Sequence, residues 1–148
     1  MAGFDADRVG LDAAIKQLAR ADLFDDEARE RILRAGAEAM TGALKQAARK
    51  HTRTGQLVAS IKADAKIRTY KDGTPYIIVS PTGSARRDSK HKAPVRNAVK
   101  GFVVNYGRRT RGRIVADRFW TAAADAAAPA VLAAMQAEAE KITNERSK

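Results

Sequence analysis

The stretch that most constrains this chain is residues 99–120, VKGFVVNYGRRTRGRIVADRFW. Val99, Phe102, Val103 and Val104 form a short apolar run of high β-propensity, so a buried third strand is expected over residues 99–106. Tyr106-Gly107 ends that run, and Arg108, Arg109, Arg111 and Arg113 follow in a span that also holds Gly112. Asp117 stands where an N-cap is needed for a helix whose first turns carry Phe119 and Trp120. Strand, basic loop and aromatic-led helix come back to back. That order fits a surface presented from a packed base better than it fits a catalytic cleft.

The remaining elements follow from periodicity. Residues 4–21 read as a helix with Leu11, Ile15 and Leu18 at i, i+4 and i+7, and with Asp5 and Asp7 where the helix dipole favours carboxylates. A longer helix, capped by Asp25 or Asp26, runs to about residue 50 with the stripe Leu33, Ala37, Met40, Leu44 and Ala47/Ala48. Gly36 and Gly42 each cost about 1 kcal/mol against alanine inside a helix, which points to close packing against another backbone. Gly55, after His51-Thr52-Arg53-Thr54, supplies a left-handed turn that residues with a Cβ resist. Residues 56–61 (QLVASI) form a short apolar element. Residues 62–70 then alternate as a strand with Ala63, Ala65, Ile67 and Thr69 on one face. Asp72-Gly73 marks a hairpin, and residues 76–79 return as a strand stopped by Pro81.

Residues 82–97, TGSARRDSKHKAPVRN, read as a long polar loop of the kind that binds a partner or stays disordered. Arg86, Arg87, Lys90, Lys92 and Arg96 face only Asp88, and Val95 is the one large apolar residue. Such a segment buries too little to hold itself in place, so it is expected to order only in an assembly. Residues 117–144 close the chain as a helix with Val131, Leu132, Met135 and Ile142 on its apolar side and a kink or restart at Pro129. The expected fold is α+β in a single domain, 1–148. It has two N-terminal helices (1–50), an antiparallel three- to four-stranded meander carrying the basic loop (51–116), and a long C-terminal helix (117–144) packed on the sheet.

Charge narrows the function. Residues 51–118 carry sixteen Lys and Arg against four carboxylates, whereas residues 1–50 balance at nine and nine and residues 119–148 hold three against four. A field this concentrated favours a polyanion or an acidic protein surface as partner. Cysteine is absent, which excludes disulfide staples and thiolate sites. No signal peptide or membrane span is expected, because the chain opens with the acidic MAGFDADR and its longest apolar run, 126–135, is short and mostly alanine. His51 and His91 lack metal-ligand partners at i+3 or i+4, no serine stands in a nucleophile elbow, and residues 82–90 lack the second glycine of a phosphate loop. No catalytic, cofactor or metal site is therefore expected. Tyr70, Tyr76 and Tyr106 mark strand ends rather than a base-stacking platform, so nucleic-acid contact would be electrostatic and without sequence readout. A small basic nucleic-acid-binding protein is the alternative reading. Phe119 and Trp120 suit either the core or an interface.

Two patches carry a resemblance. The segment from His51 through Thr54, Gly55 and Leu57 to Ser60 and Ile61 resembles the TG-x-L-x-x-S-I segment of tailed-bacteriophage head–tail joining proteins, the neck, tail-completion or tail-terminator components. Arg96-Asn97 through Phe102, Asn105-Tyr106-Gly107 and Ala116 through Arg118-Phe119 are similar to that family's second signature, an apolar strand ending in Tyr-Gly, a short polar loop and an Ala-x-x-Phe helix start. The family often has proline before its Thr-Gly and before its Phe; this chain has Arg53 and Arg118 there. The resemblance implies a non-catalytic structural protein of a long-tailed phage or prophage. It would act as a homo-oligomeric ring in the virion neck, between head connector and tail, after assembly from the host cytoplasm. Its implied partners are copies of itself and neighbouring neck and tail proteins, with non-specific contact to packaged DNA as a further destination. Arg86, Arg87, Lys90, Lys92, Arg96, Arg108, Arg109, Arg111 and Arg113 are then expected to meet an acidic neighbour, since a DNA conduit works poorly if its wall binds phosphate tightly.

Overall fold

A computed structural model describes residues 24–51, 55–85, 93–107 and 116–148. The helix expected over 4–21, Thr54, Arg86, Arg87, Lys90, Lys92, Arg108, Arg109, Arg111 and Arg113 lie outside the described residues. In order the elements are α1 (Asp26–Ala48), a 3-10 turn (Arg49–His51), α2 (Gln56–Ser60), β1 (Ile61–Ala63), β2 (Arg68–Thr69), β3 (Pro75–Tyr76), β4 (Val79–Pro81), β5 (Ser84–Ala85), β6 (Val95–Arg96), α3 (Asn97–Tyr106) and α4 (Phe119–Arg146). The α+β class holds. Its strands form three two-stranded pairs, β1 with β4, β2 with β3 and β5 with β6.

The chain divides into two compact units, each discontinuous in sequence. The first comprises, among described residues, 24–40, Ala63–Ile78 and Asp125–Lys148. Its core is apolar: Ala28, Ile32, Leu33 and Ala37 from α1, and Ala127, Val131, Met135, Ala139 and Ile142 from α4, are buried. The α4 residues recur every three or four positions, which places them on one helix face. At Gly36 an added Cβ would lie 2.8 Å from Met135 Cγ and 3.3 Å from Val131 Cγ1, so the expected close packing occurs there. Gly42 has nothing within 4 Å of such a Cβ and contributes no packing.

Ion pairs frame this core. Arg31 reaches Glu138 at 2.7 Å and Glu145 at 3.0 Å, and Arg146 pairs with Asp25. Asp25 also caps α1, its Oδ1 accepting from Ala28 N–H at 2.9 Å. That backbone hydrogen bond, helped by Arg146, holds the Asp25 carboxyl below the usual range, and the Arg31 guanidinium does the same for Glu145. Pro129 does not interrupt α4, which runs unbroken with the proline on its exposed side.

The hairpin around Asp72-Gly73 belongs to the same unit. Arg68 pairs with Tyr76 and Thr69 with Pro75, and the Tyr70 and Tyr76 rings stack 4.1 Å apart. Gly73 takes φ +83, and Asp72 Oδ1 accepts from Thr74 N–H at 2.9 Å. The strand expected over 62–70 is broken midway. Asp64 turns its side chain back to accept from Lys66 N–H at 3.2 Å and from Arg68 at 3.0 Å. A local side chain–backbone bond of this type competes with the ladder, which splits the expected meander into short pairs.

The second unit comprises the described residues of Thr41–Lys62 and Val79–Ala124. Two expectations are corrected in it. Residues 99–106 are not a buried strand but most of the helix α3. The 82–97 segment is not a loop throughout, since β5 and β6 pair as an antiparallel stem with Ser84 opposite Arg96 and Ala85 opposite Val95.

Candidate assembly surface

α3 is built inside out. Asn97, Gly101 and Asn105, at i, i+4 and i+8, are its buried residues. Val99, Phe102 and Tyr106 fall on the opposite side and are 48%, 62% and 52% exposed. At helical spacing these three form one stripe, and the Phe102 and Tyr106 rings meet at 4.7 Å, an i, i+4 contact that fixes them relative to each other. The helix ends at Gly107, whose φ of +80 and N–H bond to Val103 O at 2.8 Å close its last turn.

Most buried polar side chains are hydrogen-bonded, and Asn97 Nδ2 and Asn105 Oδ1 of α3 bond to other backbones. Asn97 Nδ2 donates to Thr82 O at 2.9 Å, while Asn97 N–H donates to Gly83 O at 2.9 Å. Asn105 Oδ1 accepts from Trp120 N–H at 2.9 Å and from Thr121 N–H at 3.4 Å. These are orphan donors at the start of α4, so a residue 15 positions upstream acts as the helix cap. Asp117, expected to be that cap, instead places its Oδ2 against His51 Nε2, and the His51 ring lies 4.8 Å from Phe119.

The backbone between α3 and α4 is drawn in by two further bonds. Asp117 N–H donates to Val104 O at 3.1 Å, and Arg118 N–H donates to Asn105 O at 3.0 Å. Arg118 takes φ +51, a left-handed conformation uncommon for a residue with a side chain. Proline, locked near −65° and without an N–H, fits neither requirement, so Arg118 is a departure with a structural cause.

The first signature patch supplies the opposing wall. Gly55 at φ +70 precedes α2, on which Leu57 and Ser60 are buried, as is Ile61 beyond it. Ser60 Oγ donates to Leu57 O at 2.7 Å, and Ser60 O accepts from both Thr82 N–H and Thr82 Oγ1. An ideal Cβ on Gly101 would sit 3.5 Å from Leu57 Cδ1 and from Pro81 Cγ, so α3 packs closely on α2 and β4. Lys100 Nζ donates to Gln56 Oε1 at 3.0 Å. The two patches, far apart in sequence, thus form one structure.

The residues named from sequence separate by environment. Phe119 is core and 5% exposed, whereas Trp120 is half-buried and edge-on to it at 6.2 Å. Tyr106 and Arg96 are exposed. Sequence reasoning missed Val99 and Phe102 as surface residues and Asn97 and Asn105 as anchors. The signal was present as Asn-x-x-x-Gly-x-x-x-Asn, a helical spacing of small and polar residues complementary to the apolar run. Among the described residues no cluster of three His, Cys, Asp or Glu could hold a metal, and no helix is long and apolar enough to cross a membrane.

A family model described as "Bacteriophage HK97-gp10, putative tail-component" matches residues 11–107. The chain belongs to the HK97-gp10-like family. The match takes in α1, both signature patches as far as Gly107, and the whole of α3. It stops ahead of α4, whose first N–H groups are capped by the matched residue Asn105. No curated protein and no solved structure matches the chain.

Proposed function

We propose that this HK97-gp10-like protein is a neck or tail-completion component that joins the head connector to the tail, acting as an oligomeric ring without catalytic activity. Membership of a phage tail-component family supports a structural role in the virion, in contact with other phage proteins. The observation that carries the reading is the inverted helix α3. It exposes an apolar stripe and uses its polar residues to brace the fold, an expensive arrangement for a chain that works alone. The basic segments that flank α3 in the sequence suit acidic neighbours in the same assembly. Before assembly the protein would reside in the host cytoplasm and afterwards in the neck.

Removing the gene from its phage and imaging the particles tests this reading. The expected products are filled heads and finished tails that remain unjoined. Normal virions, or tails of altered length on intact necks, would overturn the neck assignment. If instead the protein is recovered on DNA in a salt-dependent way and is missing from virions, the basic nucleic-acid-binding alternative is correct.

A further inference from the structure

We infer that the exposed face of α3 receives an acidic segment of a different virion protein, one that presents apolar anchors ringed by carboxylates. The inference rests on the structural role proposed above and names the partner chemistry of the same surface.

The face is preorganised. Asn97, Gly101 and Asn105 tie the opposite side of α3 to Thr82, Leu57 and Trp120, and Gly107 closes its last turn. A partner therefore meets Val99, Phe102 and Tyr106 without first ordering them, which lowers the cost of association. Aromatic side chains held in this manner are the usual anchors of protein interfaces.

Charge selects the occupant. Among the described residues, the segments Thr41–Lys62 and Val79–Ala124 carry seven Lys and Arg, Arg96 and Lys100 beside or within α3 among them, against one carboxylate, Asp117, while the other unit carries nine against eleven. Asp117 lies with its Oδ2 against His51 Nε2. Two copies meeting through this same face would oppose two strongly cationic units, which disfavours an isologous contact. The acidic half of a second copy is a weaker occupant, because six of its eleven described carboxylates, Asp25, Asp26, Glu30, Asp64, Glu138 and Glu145, are paired with arginines of their own unit. Duplex DNA would satisfy the cations but leave Val99, Phe102 and Tyr106 in water. An acidic segment with apolar anchors satisfies both.

The test uses the full chain and a fluorescent amphipathic helical peptide of about 18 residues, Leu and Phe on one face and Glu on the other. The same peptide with Lys for Glu and a short DNA duplex serve as comparators. The acidic peptide should bind at least tenfold more tightly than its lysine counterpart. The double variant Phe102→Ser/Tyr106→Ser should lose at least tenfold in peptide affinity and keep its affinity for the duplex. Equal binding by the parent and the double variant, preference for the lysine peptide, or no binding would overturn the inference. So would sedimentation showing a self-associated parent and a monomeric double variant, since the occupant would then be a second copy. The neck assignment stands or falls separately, on the particles formed without the gene.

Discussion

The two units of this protein are stabilised by different means. The unit built on 24–40, Ala63–Ile78 and Asp125–Lys148 buries Ile32, Leu33, Val131, Met135 and Ile142, sets ion pairs outside them, and has Thr74 as its one buried polar side chain and Tyr70 as its one exposed aromatic among the described residues. The unit built on Thr41–Lys62 and Val79–Ala124 has Leu44, Leu57, Ile61 and Phe119 in its core, yet it also buries Ser60, Asn97 and Asn105 and leaves Phe102 and Tyr106 outside. Burying apolar surface is worth about 25 cal/mol per Å2, so a chain selected for stability alone would turn Phe102 inward. The second unit gives up that contribution and recovers part of it through hydrogen bonds to neighbouring backbones. The contrast is the physical signature of one unit that stabilises and another that presents a surface.

Substitutions probe that contrast, the largest effects first. Met135→Ala, at a site 2% exposed in the apolar unit, should cost about 2–5 kcal/mol in denaturant unfolding. A loss under 1 kcal/mol would mean that this core is not close-packed. In the second unit, Asn105→Ala removes the cap of α4 and leaves Trp120 and Thr121 N–H without it, which should cost about 1–3 kcal/mol. Asn105→Asp keeps the accepting oxygen and should recover part of that loss. If both variants lose equally, the cap is not what Asn105 provides.

The paired glycines of α1 give a smaller, signed comparison. Gly42→Ala meets open space and should stabilise by up to about 1 kcal/mol. Gly36→Ala gains the same propensity but drives a Cβ into Met135 and Val131, and overpacking of about 1–3 kcal/mol should make it net destabilising. Thermal melts of the two variants should therefore move in opposite directions.

Acid should act on the first unit through a modest effect. Asp25, Asp64 and Glu145 have carboxyls held below their ordinary values by backbone and arginine hydrogen bonds. Their contribution is complete above the unfolded-state values, near pH 4, and is lost as pH falls through the lower folded values. Arg31→Gln should flatten that acid dependence, measured as unfolding midpoint against pH, because Glu145 loses the hydrogen bond that lowers it most.

Much of this was legible in the sequence where one physical signal dominated. The α1 stripe, the Asp72-Gly73 turn and the left-handed Gly55 each rest on local geometry, and each is present. The failures share a cause. Val99, Phe102, Val103 and Val104 have strand propensity, and reading apolar as buried made a strand of them. The helix forms because Asn97, Gly101 and Asn105 are bonded or packed on partners distant in sequence, a tertiary term that outweighs β-propensity. Asp117 failed as a cap for the same reason, since Asn105 reaches those donors from another helix. The stem of the 82–97 segment was missed because Ser84, Ala85, Val95 and Arg96 have no strand pattern of their own.

The central claim is that the α3 face serves assembly and not folding. The double variant Phe102→Ser/Tyr106→Ser in its phage, with the purified protein melted in parallel, tests that claim most directly. Exposed substitutions of this kind should leave the melting temperature within a few degrees of the parent, while heads and tails fail to join. A large fall in melting temperature, or particles that join normally, would contradict it.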